Sequence, residues 1–349
     1  MGSSNSVNIT INLDRLNPLF YAGESISGTT TVNMKEGQVK IDEIFLVLKG
    51  ETGYTTTHTV HDSNGSTSTV IDYHTISFFS EKQILESSRP GEKELVYHAG
   101  QHSWRFDIQL PAQLPPTINE SHKYPHVRYY LKFVIDKPWY KRNINETLWL
   151  TVFPHINLLS SPECLRPSIF ANHNRKHVTL KGNINKLGYV PGEMITGTLE
   201  IENPEKILLK QINLNLVQHY QIECNKGKEI IVETILPTIV NRKQENIVEK
   251  FSVLIPLAHM APSYTFNGGF QHTTNVLVNY FLEFDVKAEG MFTNFDTSIP
   301  ITIGTESDTK PNQYPLNREH NLLPNSLSYY PETIMHDEYP PPSYYSISN

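Results

Sequence analysis

Residues 20–29 read FYAGESISGT, and residues 189–198 read YVPGEMITGT. The two stretches carry identical residues at aligned positions, which are Gly23/Gly192, Glu24/Glu193, Ile26/Ile195, Gly28/Gly197 and Thr29/Thr198. In each, a glycine precedes alternating apolar and small polar residues, a pattern that predicts a tight turn leading into a β-strand. Because the pattern occurs twice, the sequence predicts two copies of one β-rich unit.

The features that follow each stretch are repeated in the same order. Ile, Leu and Leu at alternate positions occur in both halves, as Ile44, Leu46, Leu48 and as Ile212, Leu214, Leu216. The stretch FDIQLP at 106–111 likewise has a counterpart in FSVLIP at 251–256. The repeat predicts one domain over residues 7–154 and a second over 173–305, joined by a connector at 155–172. Residues 306–349 hold seven prolines and six tyrosines without alternation, which predicts a disordered tail.

Period-two alternation dominates both halves. Long apolar faces are predicted at Trp104, Phe106, Ile108 and Leu110, then at alternate positions over 127–135 and 276–286. The fold class is therefore all-β, with two tandem antiparallel β-sandwiches. We expect a mobile hairpin loop at residues 55–69, which are rich in Thr, Ser, Asn and Gly, and a helical turn only at 80–87.

Composition excludes several classes of function. The net charge of −7 leaves no global basic field, so we expect no nucleic-acid partner. Cys164 and Cys224 lie far apart without histidine-rich company, so no disulfide framework or zinc site is indicated. The polar start and the lack of an apolar run of about 18 residues predict a chain that is neither secreted nor membrane-spanning.

No motif of catalysis is found. The chain lacks a GxSxG elbow, a P-loop, an HExxH pair, a dinucleotide-binding glycine pattern and a setting for a nucleophilic cysteine. His58, His61 and His74 have no carboxylates at the spacing of metal ligands, so we predict that they do not form a metal-binding site. We expect no catalytic residues and no cofactor.

Taken in order, these motifs resemble the arrestin family, specifically its α-arrestin or arrestin-domain-containing branch. The resemblance covers about residues 7–305 and rests on FYAGESISG (20–28), FDIQLPAQLPP (106–116), VRYYLKFVIDKPW (127–139), YVPGEMITGTLEI (189–201) and SIPITIGT (298–305). It implies two sandwiches of immunoglobulin-like topology that dock other proteins. The buried salt-bridged core of the visual and β-arrestins has no counterpart that can be placed here, so phosphorylation sensing is not carried over.

One short motif in the tail has a defined physical use. Pro341, Pro342 and Tyr344 form a PPxY sequence preceded by Asp337 and Glu338. Prolines preset the polyproline II conformation and the tyrosine can fill an aromatic pocket, which is how such segments dock WW domains. About 30 heavy atoms at roughly 0.3 kcal/mol each limit this contact to micromolar affinity.

Two further features concern membranes. The start MGSSNS fits the pattern for N-myristoylation of Gly2, with a bland Ser/Gly terminus as the alternative. The positive charges at Arg128, Lys132, Lys137, Lys141 and Arg142 could attract anionic lipid or an acidic cytosolic peptide. The alternative is an ordinary solvated sheet face.

The resemblance implies an adaptor that links the cytosolic parts of membrane-protein cargo to a WW-domain HECT-type ubiquitin ligase, for ubiquitination and endocytic transport. It implies a cytoplasmic protein with peripheral contact at the plasma membrane and endosomes. One alternative is an endosomal coat or sorting subunit that acts without a ligase. Another is an extracellular β-sandwich module, for which glycan at Asn64 or Asn145 would be the evidence.

Overall fold

The computed structural model describes residues 7–61, 66–88, 95–258, 260–291 and 293–306. These residues form eighteen β-strands and three short 3-10 turns, the latter at Leu158–Ser160, Pro162–Leu165 and Pro237–Ile239. No helix among them is long and apolar enough to cross a lipid bilayer. The chain folds as two antiparallel β-sandwiches in tandem, as its sequence predicts.

The first sandwich packs a three-stranded sheet, in the order β1-β3-β6, on a five-stranded sheet, in the order β2-β8-β7-β4-β5. Its strands are β1 Val7–Leu13, β2 Leu19–Tyr21, β3 Ser25–Ile41, β4 Glu43–His61, β5 Thr67–Ser87, β6 Leu95–Gln109, β7 His126–Asp136 and β8 Ile144–Phe153.

The second sandwich packs the sheet β15-β12-β10-β9 on the sheet β11-β18-β17-β13-β14, and β16 also pairs with β17. Its strands are β9 Ser168–His173, β10 Thr179–Ile184, β11 Gly188–Tyr189, β12 Met194–Glu202, β13 Leu209–Ile222, β14 Asn225–Ile235, β15 Asn246–Leu254, β16 Tyr264–Gly268, β17 Thr274–Ala288 and β18 Phe295–Ile303.

The two larger sheets have the same strand order, and in each the short first strand is the only described parallel partner. β2 pairs in parallel with β8, and β11 pairs in parallel with β18. The duplicated sequence therefore folds into duplicated topology.

The repeated turn is the same in both halves at atomic detail. Gly23 and Gly192 both have φ of +88°, a left-handed conformation that favours glycine. Glu24 Oε2 accepts a hydrogen bond at 2.9 Å from the backbone N–H three residues before it, and Glu193 Oε2 accepts the equivalent bond at 3.0 Å. The conserved spacing of Gly and Glu in the two copies thus has a direct structural cause.

The second repeated glycine permits a close approach between neighbouring strands of the smaller sheet in each sandwich. A Cβ atom on Gly28 would overlap the backbone carbonyl oxygen of Asn12 in β1. It would also come within 2.7 Å of the Phe106 ring. A Cβ atom on Gly197 would meet a carbonyl of β10 and come within 2.5 Å of the Phe251 ring. The ring therefore fills the space that the missing side chain leaves in each half.

The predicted apolar faces are buried as expected. The alternate residues over 127–135 and 276–286 are fully or almost fully inaccessible to water. Tyr129 and Tyr280 lie at the centre of these faces, and each donates a hydrogen bond of 2.6 Å, to the carbonyls of Pro115 and Ala261 respectively. Burial raises the pKa of both tyrosines. Tyr129 therefore ties the loop before β7 to the first sandwich, and Tyr280 ties the loop before β16 to the second sandwich.

Two local predictions were wrong. Residues 55–61 and 67–69 are not a loop but the ends of β4 and β5, which stay paired from Thr55↔Tyr73 to His61↔Thr67. These strand ends lack the alternating apolar residues that predict a strand. They are linked instead by polar cross-strand contacts, such as the one of 2.7 Å between His58 and Asp72. Residues 80–87 are also strand, because pairing with β4 outweighs local preference.

The two sandwiches meet along a seam made by β4 and β5 of the first and the strand ends of the second. Thr52 Oγ1 lies 3.0 Å from Thr274 Oγ1 in a fully buried contact. Asn225 accepts from the backbone N–H of Thr55 at 2.6 Å and donates to its carbonyl at 2.9 Å. The side chain of Asn225 thus makes the two hydrogen bonds with the Thr55 backbone that a neighbouring strand would otherwise make.

The ring of Phe78, which lies at the seam, contacts aromatic rings in the hydrophobic cores of both sandwiches. The Phe78 ring lies 5.6 Å from the Tyr129 ring in the first sandwich and 6.2 Å from the Phe266 ring in the second. The carbonyl of Phe78 accepts a 2.7 Å bond from the N–H of Phe270. Buried apolar residues of both halves consequently form one connected cluster.

Gly28→Ala and Gly197→Ala should each lower the free energy of unfolding by about 2 kcal/mol or more, because the obstructing atoms include backbone carbonyls that cannot rotate away. Urea unfolding followed by fluorescence measures this effect. The matched control is Gly268→Ala, where the nearest atom would lie at 3.4 Å and little change is expected. Equal stability of all three variants would contradict the close approach.

Candidate functional site

Four of the predicted functional residues lie outside the described residues. They are Pro341, Pro342 and Tyr344 of the PPxY motif and Gly2 at the start. Among the predicted sites, the structure therefore describes only the basic surface, whose residues lie on β7 and in the turn between β7 and β8.

Four of the five predicted basic residues come together around one cleft of about 400 Å³. Its charged lining consists of Lys132, Lys137, Lys141 and Arg142 with a single carboxylate, that of Asp136. Val134, Trp139, Asn143 and Asn145 complete the wall. The positive charges outnumber the negative one, so the cleft is suited to an anion.

The turn between β7 and β8 is held by two hydrogen bonds. The N–H of Lys141 donates to the carbonyl of Pro138 at 2.7 Å, and the N–H of Lys137 donates to Asn143 Oδ1 at 2.9 Å. Proline is a preferred residue at such a turn. The backbone at the tip is thereby fixed by its own residues.

Trp139 and Tyr140 occupy the tip, and our sequence reasoning did not identify them as functional. Trp139 is 94% exposed and Tyr140 is 56% exposed, with their rings edge to face at 5.9 Å. Lys141 Nζ lies 5.7 Å above the Tyr140 ring. The signal in the sequence was the stretch KPWYKR at 137–142, in which two aromatic residues stand between basic ones on a turn.

The charges of the cleft are not neutralised by partners. In the part of the chain that the structure describes, none of the four cations forms an ion pair. Burial lowers the pKa of Lys137, and the positive charge of Lys141 lowers it further. Repulsion between these two ammonium groups favours binding of an anion between them.

Arg128 does not belong to this surface, which corrects the sequence prediction. Its Nε donates to Glu51 Oε1 at 2.6 Å, and Lys49 Nζ lies 3.2 Å from the other oxygen of that carboxylate. Burial raises the pKa of Glu51, but Arg128 and Lys49 outweigh it, so the pKa lies below its usual value. Arg128 is therefore a structural counterion, because an unpaired buried carboxylate would be costly.

His126 lies beside this ion cluster, close to the seam between the sandwiches. Its side chain is fully buried, and its Nδ1 lies 2.7 Å from the carbonyl of Lys123, so Nδ1 carries the proton. Nε2 has no hydrogen-bond partner within the described structure. Burial is the main reason that the pKa of His126 falls to about 4, and nearby Arg128 acts in the same direction.

His126 should make the protein less stable as the pH falls from 6.5 towards 4. The unfolded chain takes up a proton near its usual pKa of about 6.5, whereas the folded chain stays neutral down to about 4. This difference lowers the free energy of unfolding by about 2 kcal/mol between pH 6.5 and 5.

Urea unfolding across that pH range checks the prediction. His126→Gln should flatten the pH dependence, while His98→Gln, which alters an exposed histidine, should keep the wild-type slope. The prediction fails when wild type and His126→Gln lose stability equally with acid.

Comparison with protein families gives two matches that together cover both sandwiches. Residues 9–159 match the N-terminal domain of arrestin (or S-antigen), and residues 174–307 match its C-terminal domain. The chain belongs to the arrestin family. Its two arrestin domains suggest a role as an adaptor in protein trafficking.

In this arrestin, some charged side chains form ion pairs inside the protein and others face solvent without an ion-pair partner among the described residues. The ion pair of Arg128 with Glu51 supports the first sandwich, whereas the basic cleft and the aromatic tip face solvent. No group of three or more His, Cys, Asp or Glu residues suited to a metal ion occurs among the described residues.

Proposed function

We propose that this arrestin is an adaptor of the α-arrestin type, which links membrane-protein cargo to a WW-domain HECT-type ubiquitin ligase. The observation that carries the proposal is the PPxY motif of Pro341, Pro342 and Tyr344, which follows an arrestin body in the same chain. The chain itself is not an enzyme. Ubiquitination and endocytic sorting of the cargo follow from the ligase that it recruits.

The chemistry of the motif supports recruitment. Three consecutive prolines from Pro340 limit the conformations of the segment before it binds, so that little ordering entropy is lost on docking. Tyr344 then supplies the aromatic ring for a complementary pocket. The contact is weak alone, and the adaptor acts by raising the effective concentration of ligase near the lysines of bound cargo.

The arrestin body is the part of the chain that holds the cargo in this proposal. We assign residues 7–154 and 173–305 to the two cargo-binding sandwiches, 155–172 to the connector and 306–349 to the tail that holds the ligase motif. The adaptor then works in the cytoplasm, at the plasma membrane and at endosomes. Myristoylation of Gly2 belongs to the same proposal, and because a single acyl chain anchors only marginally, it needs a second membrane contact.

Tyr344→Ala should abolish capture of the full chain by isolated WW domains, with a fall in affinity of at least about tenfold. The loss follows from removal of the one aromatic group that fills the pocket of the WW domain. Pull-down against a panel of WW domains from HECT-type ligases, followed by titration with those that bind, measures the change.

Tyr345→Ala is the matched control, because it removes a neighbouring tyrosine outside the PPxY positions and should leave capture intact. Equal capture of wild type and Tyr344→Ala, with unchanged cargo ubiquitination in cells, would count against the adaptor and in favour of a coat or sorting subunit that needs no ligase.

A further inference from the structure

The tip of the first sandwich between β7 and β8 combines unneutralised positive charge with exposed aromatic rings. The whole chain has a net charge of −7, yet the cleft at this tip has four cationic side chains and one carboxylate. Such a local reversal of sign directs an anionic partner to this place and away from the rest of the surface.

The aromatic residues of the tip indicate what kind of anionic partner fits. Trp139 and Tyr140 are adjacent residues of a tight turn, and they project further into solvent than their large apolar surface favours. Tryptophan and tyrosine are the residues that settle at the boundary between headgroups and hydrocarbon, where a ring can be half in water and half in lipid.

The order of residues along the turn matches the layers of a membrane surface. Lys137, Lys141 and Arg142 flank the two rings at the base of the turn, and their long side chains can reach headgroup phosphates while the rings lie deeper. Both turn amides of Lys137 and Lys141 already donate within the protein. The turn can therefore enter a headgroup layer without exposing those donors.

We propose that this turn is a membrane-docking site for anionic phospholipid. Trp139 and Tyr140 enter the interfacial zone, and Lys137, Lys141 and Arg142, with Lys132 in the cleft behind them, bind headgroup phosphates. An acidic peptide would satisfy the cleft but would leave the apex rings in water, so the structure favours lipid. This inference goes beyond the adaptor role, since it concerns how the body meets the membrane that carries its cargo.

The test uses the full chain without an acyl group on Gly2, so that any binding reports on the protein surface. Its partition is measured with vesicles of phosphatidylcholine alone, with added phosphatidylserine, and with added phosphatidylinositol 4,5-bisphosphate. Quenching of tryptophan emission by lipids brominated along the acyl chain reports whether an indole ring enters the bilayer. Inositol hexakisphosphate in solution provides the arm for a free phosphate ligand, and a soluble polyglutamate peptide provides the arm for an acidic peptide.

The wild type should partition onto anionic vesicles and not onto neutral ones, with quenching that Trp139→Phe removes. Lys137→Ala/Lys141→Ala/Arg142→Ala should weaken partition by about 100-fold, because each removed cation contributes near an anionic surface. The control Lys210→Ala/Lys226→Ala/Lys243→Ala removes the same charge from exposed positions of the second sandwich and should bind within about twofold of wild type.

Three results would overturn the proposal. They are equal partition onto neutral and anionic vesicles, equal weakening by the two triple variants, and binding of inositol hexakisphosphate or an acidic peptide at the cleft with no quenching by brominated lipid. Capture by WW domains is measured on the same variants and should not change. A failure of membrane docking is thereby distinguished from a failure of the adaptor proposal.

Discussion

The seam between the two sandwiches is the constraint on which the rest of the structure depends. Phe78 contacts the aromatic core of each half, and the buried hydroxyl group of Thr52 finds its hydrogen-bond partner across the seam in Thr274, whose own hydroxyl group donates to Glu223. Because apolar side chains of both halves form one cluster, separation of the sandwiches would expose core surface to water. The seam therefore fixes the position of the β7–β8 turn relative to the whole second sandwich, and it joins the two sandwiches into a single body.

How much of this was predictable depends on the range over which each interaction acts. The turn glycines Gly23 and Gly192 and the alternating faces are local signals, so duplication and fold class follow from the sequence. The pairing of Arg128 with Glu51 could not be seen, since the two residues are 77 positions apart and become neighbours only when β4 pairs with β7. The seam could not be predicted from sequence patterns either, because its hydrogen bonds join residues that are about 170 to 222 positions apart.

The candidate site was predicted in part, for reasons that are also physical. Charge clustering at Lys137, Lys141 and Arg142 is visible because the three residues share one short turn. The exposure of Trp139 is not visible, since aromatic residues near strands are usually buried and periodicity does not distinguish a turn tip from a strand end. As proposed, the adaptor would use several weak contacts, with cargo, ligase and lipid, and joining them in one chain multiplies their effect through effective concentration.

The most direct test of a single two-sandwich body is a cross-link across the seam. Thr52→Cys/Thr274→Cys should form an intramolecular disulfide under mild oxidation, because the side-chain oxygens that the sulfurs replace lie 3.0 Å apart in the folded protein. Cys224, an exposed thiol near Thr55, is replaced by serine in this variant so that it cannot compete. Mass spectrometry under non-reducing conditions should find the 52–274 link in nearly all folded molecules. Two free thiols at these positions in the folded protein would contradict a buried seam and the shared core that depends on it.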